Sequence, residues 1–239
     1  MGIIRISIFQ KSLPEGLNLG TLKKLASVKS DFLLLPEYFF ADSTLKDHRE
    51  ALEKSQHAVD WLLKLNESYK GIIIGGSVIR KEGDRYFNAS PIISDGLVVD
   101  WYRKRNLMER EQALMSPGTE TGIFILGGQR FAVLICADVL KPEYFEELHQ
   151  AGIKLVFTVM NSPYREETPE VKHARDEELF LKPARKYGMY IAKCCSAGSI
   201  FGHRVQGRSL VATPTGISWR VAPQEEDQEI LKTVMIHVV

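Results

Sequence analysis

Three side chains of complementary chemistry stand at the ends of three short runs. Residues 131–136 (FAVLIC) end in a thiol and are followed at once by Ala137-Asp138. Residues 32–37 (FLLLPE) end in a carboxylate, and residues 98–104 (VVDWYRK) end in an amine. A free cysteine has a pKa of ~8.5, so only a few per cent is thiolate at neutral pH. Its use as a nucleophile needs a base for its proton and a cation for the developing anion. A carboxylate and an ammonium supply both. The expected chemistry is acyl transfer through a thioester. Singly, each residue has an ordinary explanation: Cys136 as an inert core thiol, Glu37 as a loop carboxylate, Lys104 in Arg103-Lys104-Arg105 as a solvated charge.

The bulk composition narrows the class. The 239 residues carry 31 basic and 30 acidic side chains, a net charge of +1, which points neither to nucleic acid nor to an anionic membrane. No apolar run approaches the ~20 residues of a membrane span, and the N-terminus lacks the layout of a signal peptide. Three cysteines, with Cys194 and Cys195 adjacent, make no disulfide framework and no zinc pattern. A reducing cytoplasm, where a thiol stays free, is the expected compartment.

The elements that must position the three residues follow from periodicity. Ile4, Ile6 and Ile8 alternate with Arg5 and Ser7, predicting a first strand from the N-terminus. Residues 32–35 are continuously apolar, as in a strand covered on both faces. A helical stripe (Ala51, Leu52, Ala58, Val59, Leu62, Leu63, Leu65) runs through about residues 44–70 and stops at Gly71. Strands are expected at 72–80, 85–94 and 97–103, turned by Gly83-Asp84 and Asp95-Gly96. The second half repeats the order: strands 123–126 and 130–136, a helix over 142–151, a strand 153–159 and a helix over 170–187 kinked at Pro183. Strands 189–195, 206–213, 217–221 and 230–237 follow. Gly75-Gly76 lacks a phosphate-loop context and reads as close strand packing. The whole predicts one α/β domain, residues 1–239, of two mixed sheets packed together and covered by helices on their outer faces.

The segments LLLPEYFF, WYRKRNLMEREQALMSPG and LICADVLKPE resemble the signatures of the nitrilase superfamily of carbon–nitrogen hydrolases. Tyr86-Phe87-Asn88 is similar to the segment before the family's lysine strand. Gly207-Arg208-Ser209 and Pro214-Thr215-Gly216 are similar to its C-terminal elements. The resemblance spans nearly the whole chain in order. It implies an αββα sandwich, a Glu37, Lys104, Cys136 triad and a second glutamate beside the lysine. Glu111 fits that place by its spacing from Ser116-Pro117-Gly118, with Glu109 competing. In the implied reaction Glu37 moves the protons, while Lys104 and the Ala137 backbone N–H hold the oxyanion. Glu111 holds Lys104 and Glu37 in place. No metal or cofactor is expected.

The same resemblance places a pocket at the loops near Tyr38, Ala137 and residues 160–164, with Tyr38, Met160, Asn161 and Tyr164 as candidate substrate contacts. For Tyr164 and Arg165-Glu166-Glu167, specificity and simple solvation are both open. Asn106 stands where many relatives have histidine, and Ala137 is small where they often carry a larger residue. Asp138 reads as a turn or cap residue, Glu143 as a helix-dipole partner, Cys194 and Cys195 as packing, and His173 and His203 as surface or loop residues. The expected activity is hydrolysis of a small amide. Alternatives are a nitrile or N-carbamoyl substrate, or a non-catalytic binding or regulatory role. A homodimer or larger homo-oligomer is expected, with the chain ending at Val239 soon after its last strand.

Overall fold

The computed structural model describes residues 2–238; Met1, expected in the first strand, and Val239 lie outside the described residues. The first half runs β1 (Gly2–Ser12), α1 (Leu19–Ala26), β2 (Phe32–Leu34), α2 (His48–Ser68), β3 (Ile72–Ile74), β4 (Val78–Glu82), β5 (Arg85–Ser94) and β6 (Leu97–Arg103). Asp47 starts α2 later than the apolar stripe suggests, because its carboxylate accepts the N–H groups of Arg49 and Glu50 at 2.8 and 3.0 Å. The strand expected over 72–80 is broken at Gly75-Gly76. Gly76 has φ +59°, and a Cβ there would lie 2.1 Å from the Pro36 carbonyl oxygen. Only glycine lets the end of β3 press against the loop that carries Glu37.

The second half runs α3 (Glu109–Gln112), β7 (Ile123–Leu126), β8 (Gln129–Ile135), α4 (Pro142–Gln150), β9 (Leu155–Met160), α5 (Pro169–Asp176), α6 (Lys182–Tyr187), β10 (Tyr190–Ile200), β11 (His203–Val205), β12 (Leu210–Thr213), β13 (Gly216–Arg220) and β14 (Ile230–Val238). The single kinked helix expected over 170–187 is instead divided by a π-helical stretch, Glu177–Leu181. Pro183 has no N–H to give the carbonyl four residues back, and the wider turns lie beside it. β8 stops at Ile135. Cys136 therefore opens a 3₁₀ turn, Cys136–Leu140, rather than closing the strand.

Two six-strand sheets result. The first has the order β14-β1-β2-β3-β5-β6, with β4 continuing the place of β3 beside β5. The second has the order β7-β8-β9-β10-β12-β13. In both, the successive pairings are antiparallel, parallel, parallel, antiparallel and antiparallel. β1 and β10 join the sheets at one corner through Lys11 opposite Ser196 and Ser12 opposite Ala197.

Alternation along each strand divides the interior. Phe32 and Leu34 of β2 face the second sheet, whereas Leu33 and Leu35 pack with Ala51, Ala58, Leu62 and Leu65 of α2 on the outer face. Between the sheets the rings of Phe32, Phe131 and Phe157 form a closed set, with centroids 4.7–5.6 Å apart. On the far side α4 and α6 bring Phe145, Leu148 and Ala184 into the core that holds the second sheet. The architecture is helix, sheet, sheet, helix, as expected.

Candidate active site

The strand-to-turn geometry after β8 projects Cys136. Its φ is +46°, a left-handed conformation that costs a non-glycine residue about 1–3 kcal/mol. Asp138 fixes that turn. Its Oδ2 accepts the Ile135 N–H at 2.9 Å and the Tyr102 hydroxyl at 2.8 Å. Its Oδ1 accepts the N–H groups of Arg105 and Asn106 at 3.1 and 2.7 Å. One buried carboxylate thus ties the cysteine turn to the chain just beyond Lys104. Burial raises the Asp138 pKa to about 6, with the donors from Ile135, Asn106 and Tyr102 pulling the other way. Asn106 adds a second tie, its Nδ2 donating to the Ala137 carbonyl at 2.6 Å.

Lys104 follows β6 and is 1% exposed. Its N–H donates to the Asn88 carbonyl at 2.8 Å, and its own carbonyl accepts from Gly118 at 2.8 Å. A Cβ on Gly118 would meet the Arg103 carbonyl oxygen at 2.4 Å, which explains a glycine there. Lys104 Nζ donates to Glu37 Oε1 at 3.0 Å and to Glu111 Oε1 and Oε2 at 3.0 and 2.8 Å. Asn88 Nδ2 donates to Glu37 Oε1 at 2.9 Å and to Glu111 Oε1 at 2.7 Å. Glu111, the third residue of α3, also accepts from the Met108 N–H at 2.8 Å and the Tyr38 hydroxyl at 3.3 Å. The cluster takes Glu111 and leaves out Glu109, which is exposed at the start of α3.

Electrostatics follow from this packing. Burial opposes the Lys104 ammonium, but Glu37, Cys136 and Glu111 outweigh it and raise its pKa above the ordinary lysine value. Burial likewise opposes the Glu111 carboxylate, and Lys104 with the Met108 and Asn88 donors brings its pKa below the usual range. Burial pushes the Cys136 thiol up, and Glu37 adds to this against the pull of Lys104. The resting thiol is neutral and needs a base.

Cys136 is half-buried and lines two spaces. A void of about 10 Å³, roughly one water, touches Glu37, Tyr38, Lys104, Glu111 and Asn161. A cleft of about 190 Å³ is lined by Cys136, Ala137, Met160 and Asn161, with Val139, Phe180 and several arginines. Larger clefts of about 260 and 1130 Å³ contain none of these residues.

Of the pocket residues expected from sequence, Tyr38, Met160 and Asn161 come together here. Asn161 Nδ2 donates to the Glu37 carbonyl at 3.1 Å, its Oδ1 accepts from the Ser196 hydroxyl, and its carbonyl lies 3.9 Å from Cys136 Sγ. Tyr164 lies outside the cleft lining, its ring stacked under Arg204 at 3.9 Å. Cys194 and Cys195 are fully buried, Cys194 Sγ donating to the Phe9 carbonyl at 3.3 Å. Sequence reasoning gave no role to Asn88, although an asparagine between Phe87 and Ala89 in a buried strand is itself unusual. It also missed the buried set of Asp176, Lys193 and Arg208, with Lys193 Nζ and an Arg208 nitrogen 2.8 and 2.6 Å from the two carboxylate oxygens.

Helices on the outside of two mixed sheets, with thiol, ammonium and carboxylates at the strand ends, are the architecture of the nitrilase superfamily. The chain belongs to the carbon–nitrogen hydrolase family: the family model described as Carbon-nitrogen hydrolase matches residues 11–238. It is 29% identical to the 2-oxoglutaramate amidase of Bacillus subtilis (strain 168), over 80% of this chain and 73% of that one. It is 25% identical to the glutamine-dependent NAD(+) synthetase of Xanthomonas campestris pv. campestris (strain 8004), over 84% of this chain but 37% of that relative's length. Its fold matches a mutant of the amidase from Nesterenkonia sp. AN1 that shows covalent addition of the acetamide moiety of fluoroacetamide at its active-site cysteine. The TM-score is 0.82 at 20% identity, covering 98% of this chain and 90% of that one. Among the described residues no helix is long and apolar enough to cross a membrane.

Proposed function

We propose that this hydrolase cleaves the C–N bond of a small non-peptide amide through a thioester on Cys136. The observation that carries the reading is the unequal bonding of the two carboxylates. Both oxygens of Glu111 are taken by Lys104, Asn88, Tyr38 and the Met108 N–H, so it is held as an anion and positions Lys104. Both donors to Glu37 among the described residues fall on Oε1, which leaves Oε2 without a donor there, available to move protons beside the thiol.

Glu37 takes the Cys136 proton as sulfur attacks the amide carbonyl. The oxyanion forms against Lys104 Nζ and the Ala137 N–H. Glu37 returns the proton to the leaving nitrogen, and ammonia or an amine departs. Glu37 then takes a proton from water, hydroxide adds to the thioester, and the thiolate leaves and recovers that proton. A carboxylic acid is released. Similarity to 2-oxoglutaramate amidase favours amides over nitriles or N-carbamoyl compounds. The test is an ammonia-release screen over all three classes, with Cys136→Ala as control and intact-mass detection of an acyl adduct. Ammonia from amides and an adduct lost in Cys136→Ala are expected. Neither product from any amide would refute the reading.

A further inference from the structure

The void beside Glu37 and Cys136 has one polar wall that the reaction above does not use. Asp47 caps α2 and so sets His48, the first residue of that helix, against the catalytic cluster. The His48 ring lines the void, is 8% exposed, and packs on Phe201 and Tyr38 with centroids 4.5 and 5.6 Å away. Among the described residues neither of its nitrogens makes a hydrogen bond or ion pair. The other polar walls are largely committed. Lys104 is bonded to Glu37 and Glu111, the Tyr38 hydroxyl to Glu111, and the Asn161 side chain to the Glu37 carbonyl and Ser196. Burial lowers the His48 pKa below 6.5; Glu111 and Glu37 oppose this, while Arg110 and Lys104 assist it. The neutral ring therefore keeps an acceptor nitrogen. The backbone is strained around the same void. Tyr38, Cys136 and Phe201, with φ of +50°, +46° and +50°, are three of the four described non-glycine residues at positive φ.

Resting on the thioester mechanism above, we propose that His48 is a further catalytic residue, which holds the water that hydrolyses the acyl-enzyme. The void has room for about one water. The acyl chain has the larger cleft, which Cys136 lines but Glu37, Lys104 and His48 do not. Once the leaving nitrogen has gone, a water in the void donates one O–H to Glu37 and the other to the His48 nitrogen. Its lone pair then faces the thioester carbonyl. Arg110, the remaining polar wall, can only donate, and would compete for that lone pair. As Glu37 takes the first proton, the new C–O bond forms. The C–S bond then breaks, and the thiolate recovers the proton from Glu37. His48 keeps its protonation state throughout and orients the water. Such an effect belongs to the second half-reaction alone, because acylation uses no water.

The test separates the half-reactions with p-nitrophenyl acetate, an ester that acylates the thiol without any amide leaving group. His48→Phe keeps the stacking on Phe201 and Tyr38 and removes the acceptor. Its nitrophenolate burst should match wild type within about twofold, while the steady rate that follows should fall by at least about tenfold. Acetyl-Cys136 should accumulate in intact-mass spectra, and kcat and KM should fall together with kcat/KM kept. His48→Gln restores an acceptor and should recover part of the loss; His48→Leu takes the place of His48→Phe if the latter does not fold. Equal losses in burst and steady rate would mark a structural role only and overturn the inference, as would a His48→Gln no faster than His48→Phe. No ammonia from any amide, with acetyl-Cys136 still hydrolysed, would remove the amide reading and leave this test in force. A wild type that forms no acetyl-Cys136, or never hydrolyses it, overturns both.

Discussion

Around Cys136 the governing fact is that a half-buried neutral thiol sits beside a buried ammonium already shared by two carboxylates. Burial raises the thiol's pKa more than Lys104 lowers it, so in the proposed reaction the thiolate forms during attack rather than being stored at rest. Glu37→Gln keeps the shape of the cluster but removes the base. Turnover should fall by ~10²–10⁴-fold, the usual range for a lost general base, with the far-ultraviolet circular dichroism spectrum retained; near-normal turnover would exclude Glu37 from that role. Accessibility separates the cysteines more sharply. Cys194 and Cys195 are 0% exposed, and Cys136 opens onto a cleft. Iodoacetamide should therefore label Cys136 at least about tenfold faster, since reactivity follows access as well as thiolate content. Peptide mass mapping that found equal rates would contradict the assignment of Cys136 as the displayed thiol.

At the level of elements, the geometry of the proposed site depends on joints between strand ends rather than on the strands themselves. Asp138 joins the turn after β8 to the segment after β6 by accepting three backbone N–H groups and one hydroxyl. Asp138→Ala orphans those donors, each worth ~1–3 kcal/mol when buried. A loss of several kcal/mol in urea denaturation is expected; a loss under about 1 kcal/mol would show that the joint is dispensable. The pH dependence has a definite sign. The folded pKa of about 6 exceeds the unfolded ~3.9, so protonated Asp138 favours the fold. That contribution is complete below about pH 4 and is lost as pH rises through about 6, a change of about 3 kcal/mol. Glu111, with its pKa lowered, contributes in the opposite sense and loses its contribution as pH falls below its unfolded ~4.3. Asp138→Asn lacks the Asp138 component, so the stability gap between wild type and variant should narrow from pH 4 to pH 7. A constant gap would contradict the raised pKa.

Across the whole molecule, two sheets of identical pairing pattern place equivalent strand ends at one rim, yet their chemistry differs. The tip of β2 carries Glu37, and the equivalent tip of β9 carries Asn161, which donates to the Glu37 backbone. The tip of β8 carries Cys136, whereas the equivalent β1 continues into its pairing with β10. Asymmetry at the rim lets one half supply the Glu37 carboxylate and the ammonium and the other the thiol. The sheets must therefore keep their separation, which the ring set of Phe32, Phe131 and Phe157 spans. Phe32→Ala leaves a cavity between the sheets and should destabilise by about 3–5 kcal/mol. Calorimetry showing a loss under 1 kcal/mol would mean that the inter-sheet core is set elsewhere.

Periodicity alone determined most of the element order, and the three strand-end segments determined the family and singled out Glu37, Lys104, Glu111 and Cys136, which the fold then brings together, because local patterns reflect local backbone geometry. The break at Gly76 was not legible, since it depends on the approach of Pro36 from a segment far away in sequence. Nor was the role of Asn88 or Asn106, or the reach of Asp138 beyond its own turn to Tyr102 and Arg105, because these partners lie on other segments. Tyr164 had the right loop but the wrong direction, because Arg204 on the neighbouring β11 holds its ring outside the cleft. Which arginines line the cleft beside the thiol and which are neutralised by Glu167 or Asp176 is likewise a matter of packing. Sequence fixes which groups are available; only tertiary structure decides which of their charges remain free, because pairing and burial are properties of three-dimensional neighbours.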